Sequence, residues 1–243
     1  MRKVSVLVAT LLLLSLRASA GVMVESSRVI FSAGDRERSL MLSNNNDYPV
    51  IVQAWVDNGA PDGTPENAAD VPVIPLPGIF RLEPGEKKYL RLLATQVKQP
   101  LDRESLYWLN IYEIPPTDAH LPANVSAVKV AIRLQLKMFW RPTNLTPSVD
   151  DVVKKLQFTL LRQPGTLQLK VTNPTPYYAT FNAADIKNNA ASHTLAIDML
   201  APFSSKTLPL DTHREEQPKS IHYALINDDG NSVENEVSFK AGK

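Results

Sequence analysis

Beyond its first twenty residues the chain alternates short apolar-rich runs with turn-forming clusters about every 8 to 15 residues, the rhythm of an all-β sandwich rather than of helices. "SLMLSNNND" breaks on a run of asparagines, "PVIVQAWVDN" follows, and "GAPDGTPENAADVP" reads as a long polar loop. "FRLEPGEKKYLRLLAT" is two β runs joined at Glu83-Pro84-Gly85-Glu86, where Pro presets φ and Gly accepts φ > 0, as a type II turn requires. "ESLYWLNIYEIPP" is aromatic and β-branched and stops at paired prolines. After Pro142, "TNLTPSVDDVVKK" makes a polar joint, and "KLQFTLLRQ", "TLQLKVTNPTPYYATF", "HTLAIDML" and "IHYALINDD" repeat the same grammar. The pattern predicts two β-sandwich domains in tandem, residues 21–141 and 151–243, with a hinge over 142–150. No close repeat at the residue level relates the halves.

The strictest alternation lies between Ser126 and Arg141. Val128, Val130, Ile132, Leu134, Leu136, Met138 and Trp140 share one face of the predicted strand, while Lys129, Arg133, Lys137 and Arg141 fall on the other. At ~3.3 Å per residue the row from Val128 to Trp140 spans about 40 Å, roughly twice an ordinary strand. Two readings stand side by side. The strand bends and is covered along its whole length by its own domain, or Val128, Val130 and Ile132 stay on an accessible edge while Leu134, Leu136 and Met138 enter the core. An apolar row on an edge attracts a further strand, so the second reading makes strand addition to a partner the function.

Composition and charge narrow the picture. Met1-Arg2-Lys3, an apolar run from Val4 to Leu16 and the small-residue site Ala18-Ser19-Ala20 form a secretory signal peptide over residues 1–20. The run is well short of the ~20 residues that span a bilayer, and no later segment approaches that length, so no membrane insertion of the mature chain is expected. The signal holds Arg2, Lys3 and Arg17 and no acid. Subtracting these three from the 26 basic residues leaves 23 against 25 acidic ones, a net of −2, which offers no field for nucleic acid. Cysteine is absent, which excludes thiol catalysis and cysteine metal sites and leaves the fold to core packing.

Candidate chemistry is scarce. His120, His193, His213 and His222 sit in loop-like or strand-end settings, and there is no H-E-x-x-H, no G-x-S-x-G and no Gly-rich phosphate loop. The neighbouring acids Asp150-Asp151 and Asp228-Asp229 would point to opposite faces of a strand. No catalytic set, metal site or cofactor is therefore expected.

"SSRVIF", "SLMLSNNNDYPVIVQAWVDN", "FRLEPGEKKYLRL", "DRESLYWLNIYEIPP", "RLQLKMFWRP", "NPTPYYATF" and "ALINDDGN" follow one another over nearly the whole mature chain, and together they closely resemble the periplasmic pilus-assembly chaperones, the PapD-like family. The resemblance implies two immunoglobulin-like domains in an L shape with a cleft between them, and no catalysis. It implies a periplasmic protein that lends a donor strand to pilus (fimbrial) subunits lacking the last strand of their own fold, then yields them to an outer-membrane usher. Matched position by position, Arg28 and Lys137 are similar to the two bases that bind the subunit's terminal carboxylate, and Val128, Val130 and Ile132 to the donor row. Glu104, Arg141 and Asp228 resemble the interdomain salt bridge that fixes the angle between domains, and Leu76-Pro77 matches a position that is cis in family members. The chain departs from the family in lacking both the cysteine pair of long-loop members and the C-terminal bridge of many others, so it looks like the short-loop branch, whose subunits build rod-like pili. The rival reading is an exported two-domain immunoglobulin-like adhesin or receptor-binding module, which would bind through end loops. Self-association of the free protein over its open edge is left open, as are the pilus system and the usher.

Overall fold

Strand formation follows the alternation closely in the first half of the chain. A computed structural model describes residues 21–61, 63–68, 70–117, 130–163, 166–188, 192–210 and 218–239. The strands of the first half are β1 (Val22–Val24), β2 (Arg28–Ser32), β3 (Glu37–Asn44), β4 (Val50–Asp57), β5 (Val73–Leu76), β6 (Ile79–Leu82), β7 (Lys87–Ala94), β8 (Ser105–Ile114) and β9 (Ile132–Arg141). They lie in two sheets with the strand orders β1-β3-β7-β5 and β2-β9-β8-β4-β6. Alternate residues turn inward: Leu40 and Leu42 on β3, Leu90 and Leu92 on β7, Val50 and Val52 on β4, Leu109 and Ile111 on β8, each at most 4% exposed. The β6–β7 connection closes with Gly85 at φ +71° and the Glu86 N–H on the Glu83 carbonyl at 3.0 Å. The Leu76–Pro77 bond is cis.

The second half is a further immunoglobulin-like sandwich. Its strands are β10 (Gln157–Gln163), β11 (Thr166–Asn173), β12 (Ala179–Lys187), β13 (Ser192–Thr194), β14 (Met199–Leu200), β15 (Ser204–Leu210), β16 (Ser220–Ile226) and β17 (Ser232–Ser238). One sheet has the order β10-β11-β15 and the other β13-β12-β16-β17, with β14 beside β12. Leu169, Val171, Phe181, Ile186, Ile221 and Tyr223 fill the space between them. A four-residue helix, α1 (Val152–Lys155), that the alternation did not signal adds Val152 and Val153 to this core. The Tyr223 hydroxyl donates to the Val153 carbonyl, which also accepts the Asn235 side-chain amide at 3.1 Å, so the buried helix end is satisfied.

By compactness the chain divides into two units, and the division does not follow sequence order. Of the described residues, one unit holds those up to Glu25, those between Arg36 and Thr95 and those between Trp108 and Gln135, and the other holds Ser26–Asp35, Gln96–Tyr107 and those from Leu136 on. β8 and β9 therefore each begin in one unit and end in the other.

A local device occurs twice. β3 ends at Asn44 and β11 at Asn173, both wholly buried. Asn44 Nδ2 donates to the carbonyls of Tyr48 (2.9 Å) and Leu82 (3.1 Å), while its Oδ1 accepts the Asn46 N–H (3.0 Å). Asn173 Nδ2 donates to the carbonyls of Tyr177 (2.7 Å) and Ala201 (3.0 Å), while its Oδ1 accepts the Thr175 N–H (3.1 Å). The same offsets, two and four residues on, tie each corner to the strand that follows. This is kinship at the residue level that the sequence reading missed. Asn173→Ala is expected to cost about 2–3 kcal/mol, because two buried carbonyls and a buried amide lose partners together. Urea unfolding at unchanged m-value measures it, and a cost below about 0.5 kcal/mol would show the corner to be dispensable.

Candidate functional site

The site begins with a pairing that stops short. β2 runs parallel to β9 in the register Arg28↔Lys137 through Ser32↔Arg141. Partners in register share a face, so Arg28, Ile30 and Ser32 stand with Lys137, Phe139 and Arg141, and Val29 and Phe31 with Met138 and Trp140. The second set is buried, with the Phe31 and Trp140 rings stacked at 5.3 Å. Every charge is thus on one face. Upstream of Lys137 no strand accompanies β9 on the β2 side, so Ile132–Leu136 keep an open edge among the described residues.

Exposure along the apolar row falls in the same direction. Val130 is 68% exposed and Ile132 44%, Leu134 is half-buried, and Leu136, Met138 and Trp140 are buried. The predicted strand from Ser126 differs from the observed one: β9 begins at Ile132, Val130 and Ala131 precede it, and Val128 lies outside the described residues. Alternation reports what a strand could bury, whereas a strand also needs a neighbour to pair with. At the start of β9, Arg133 is held by Asn110 Oδ1 (2.8 Å) and Asp57 Oδ2 (3.2 Å) and lies 5.0 Å over the Trp55 ring.

Two cations side by side in a ladder repel one another unless acceptors meet them. Lys137 Nζ lies 3.4 Å from Asp198 Oδ1, a carboxylate on a highly exposed residue. Arg28, only 8% exposed, donates from Nη1 to the Ile226 carbonyl at 3.0 Å, and its buried Nε has no hydrogen-bond partner among the described residues. Burial pushes the Arg28 guanidinium down from its ordinary value, against the attraction of Asp228. The pair is thus electropositive, and its inner member is short of an acceptor.

Four residues further along β9 the charge is fully matched. Arg141 donates from Nε to Glu104 Oε1 (2.7 Å) and through both terminal nitrogens to Asp228 (2.6 and 2.7 Å), with its guanidinium 5.3 Å over the Tyr177 ring. Glu104 Oε2 accepts the Tyr178 N–H at 2.8 Å, and the Glu104 N–H donates to the Pro176 carbonyl at 2.9 Å. Asp228 sits in a turn closed by Gly230 at φ +84°, where a Cβ would come within 2.6 Å of Ser27 Oγ. Burial lowers the Arg141 guanidinium, but the bonds to Asp228 and the nearby charges outweigh it and the net shift is upward. Burial likewise pushes the Glu104 carboxyl up, held back by the Arg141 charge and the Tyr178 amide. Asp198, the Ile226 carbonyl and the Tyr178 amide were not found from the sequence. Tyr178 lay within the motif "NPTPYYATF" and Ile226 within "ALINDDGN", while Asp198 lay in neither.

Two immunoglobulin-like sandwiches in tandem, with a basic pair at the end of a half-paired strand, describe a pilus-assembly chaperone. The family "Pili and flagellar-assembly chaperone, PapD N-terminal domain" matches residues 21–146, and "Pili assembly chaperone PapD, C-terminal domain" matches residues 151–237. The chain belongs to this PapD-like family. It is 30% identical over 218 residues, 88% of each chain, to the probable fimbrial chaperone YadV of Escherichia coli K12. Its structure is similar to the CupB2 chaperone of Pseudomonas aeruginosa (TM-score 0.72, 33% identity, 89% of this chain and 100% of that one). It is also similar to the Salmonella enterica SafB chaperone, solved in complex with the SafA pilin (TM-score 0.73, 26% identity, 90% and 96%).

Arg141→Leu would leave Glu104, with 2% of its side chain exposed, as an uncompensated buried acid, at an expected cost of about 3–5 kcal/mol near neutral pH. A carboxyl raised in the folded state favours folding below its unfolded pKa of ~4.3 and loses that advantage as pH rises through the folded value. Loss of the cation raises Glu104 further. The stability gap between wild type and Arg141→Leu should therefore widen from pH 4.5 to pH 7.5 in urea unfolding, and a gap independent of pH would contradict this account.

Proposed function

We propose that this protein is a periplasmic chaperone that binds and stabilises pilus subunits by donor-strand complementation and delivers them to an outer-membrane usher. The observation that carries the reading is the point at which β2 ceases to accompany β9. The apolar row and its open edge lie upstream of that point, and the Arg28–Lys137 pair stands at it. A guest strand that continues the line of β2 along Ile132–Leu136 would run parallel to β9 and bring its C-terminus to the basic pair. Its terminal carboxylate would accept from Arg28 and Lys137, and two charge-assisted bonds at a fixed end set the register of every pairing upstream. Val128, Val130 and Ile132 would fill the groove of a subunit whose own sandwich lacks a strand.

In this reading the protein acts by binding alone, with no bond made or broken. The Glu104–Arg141–Asp228 network holds the end of β9 to the turn at Asp228, and so keeps the basic pair in place at small net energetic gain. The same open edge is where two free copies would pair in the absence of a subunit. An adhesin, by contrast, would bind through end loops and have no use for a basic pair at the end of an open edge.

Arg28→Ala and Lys137→Ala are each expected to reduce co-purification of pilus subunits from the periplasm by about tenfold or more, since each removes one charge-assisted bond. Ile132→Asp, and the more exposed Val130→Asp, should abolish capture while leaving the free chaperone folded by circular dichroism. Undiminished capture by the Arg28 and Lys137 variants would sink the reading in favour of the adhesin.

A further inference from the structure

Glu113 is a buried acid that no basic side chain meets among the described residues. It lies on β8 at 5% exposure, in the inward-facing line of Leu109 and Ile111. Its Oε2 accepts the Val22 N–H at 2.8 Å and its Oε1 accepts the Asn46 side-chain amide at 2.8 Å. Both donors are neutral, and a carboxylate so deep ordinarily has a charged partner as well, because neutral donors repay only part of the cost of leaving water. Charged side chains on the surrounding elements do not supply one. Glu25 accepts the Met41 N–H, Asp47 and Lys87 are exposed, and Arg81 pairs with Glu83 and Lys88 with Glu86. What stands beside Glu113 is Gly21, the residue that follows the Ala18-Ser19-Ala20 cleavage pattern. Gly21 is buried, its carbonyl accepts the Asn45 N–H at 3.0 Å, and a Cβ on it would lie 3.0 Å from Glu113 Oε2. Gly21, Val22, Asn46 and Glu113 all belong to one compact unit.

We infer that Glu113 is the buried counter-charge for the α-ammonium that removal of residues 1–20 creates on Gly21, so that processing of the chain completes this unit. Hydrolysis of the Ala20–Gly21 bond divides one water between its products and leaves a carboxylate on Ala20 and an ammonium on Gly21. The Gly21 carbonyl stays on Asn45, while the freed nitrogen can turn about the Cα–C bond into the direction a Cβ would take, within ion-pair reach of Oε2. Before cleavage the same nitrogen is a neutral amide, and Glu113 has hydrogen bonds without a cation. The inference concerns maturation of the chaperone and stands apart from how it holds a subunit.

The test uses the mature chain purified from the periplasm, with mass spectrometry placing its first residue at Gly21. In an NMR titration the Gly21 amine should hold its proton about tenfold or more tightly than an ordinary α-amine, which titrates at ~7.7–8.0, and Glu113→Gln should abolish the difference. A cation whose folded pKa is raised stabilises fully below its unfolded value and ceases to do so as pH rises through the folded one. A variant with one serine inserted between Ala20 and Gly21 moves the ammonium a residue away and leaves Glu113 in place. It should therefore unfold at lower urea than wild type at pH 6.5, with the difference narrowing toward pH 10.5. This arm holds even if Glu113→Gln does not fold. An α-amine that titrates in its ordinary range, an equal urea midpoint for the inserted variant at pH 6.5, or a first residue other than Gly21 would each overturn the pairing.

Discussion

The structure depends on where one parallel pairing ends. β2 accompanies β9 from Arg28 and Lys137 onward and, among the described residues, leaves the preceding residues of β9 with one hydrogen-bonding edge unused. An exposed edge is a hazard for a soluble protein and is ordinarily covered, charged or shortened. Here the downstream half of the strand is anchored by Met138, Trp140 and the stacked Phe31, while the upstream half, among the described residues, has no strand beside it on the β2 side. Arg133, held by Asn110 and Asp57, is a second anchor at the start of β9. An extended backbone already fixed in place costs a partner less conformational entropy on binding than a loop would.

The ion network follows from the same strand. A period of two places Lys137, Phe139 and Arg141 on one face, so the strand that presents its apolar row to one side presents two cations to the other. Arg141 is saturated by carboxylates and Arg28 is not, so the two arginines of the same face differ in how far their charge is met. A planar guanidinium that meets two acids fixes geometry more than it adds stability. Among the described residues the Arg28 Nε is buried without a hydrogen-bond partner, and burial pushes that guanidinium down.

Much of this was legible in the sequence, and the reasons for success and failure are physical. Tandem sandwiches follow from recurrent short runs, and the confinement of the charges to one face follows from alternation. The end of the β2–β9 pairing was not legible, because periodicity states which face a residue occupies and not which strand lies beside it. Asp198 was invisible for a related reason: it meets Lys137 at a distance in sequence, through a contact with no local pattern. The corner asparagines Asn44 and Asn173 escaped notice because their shared logic occupies only a few positions, filled once as "NNNDY" and once as "NPTPY". A side chain that satisfies backbone groups at fixed offsets constrains spacing strongly and the intervening residues hardly at all.

Asp198 gives the basic pair a property that a bare cation would lack. Lys137 already has a carboxylate 3.4 Å away on a residue that is mostly in water. In the function proposed above, an anion arriving at Lys137 would exchange with a tethered rival, and the gain would be the difference between two similar ion pairs rather than the whole of one. Such an arrangement blunts the affinity of the final contact and lowers the barrier to letting go, since the departing group leaves behind a charge that is immediately matched again. In that reading, a grip that can be replaced from within is a form of built-in reversibility.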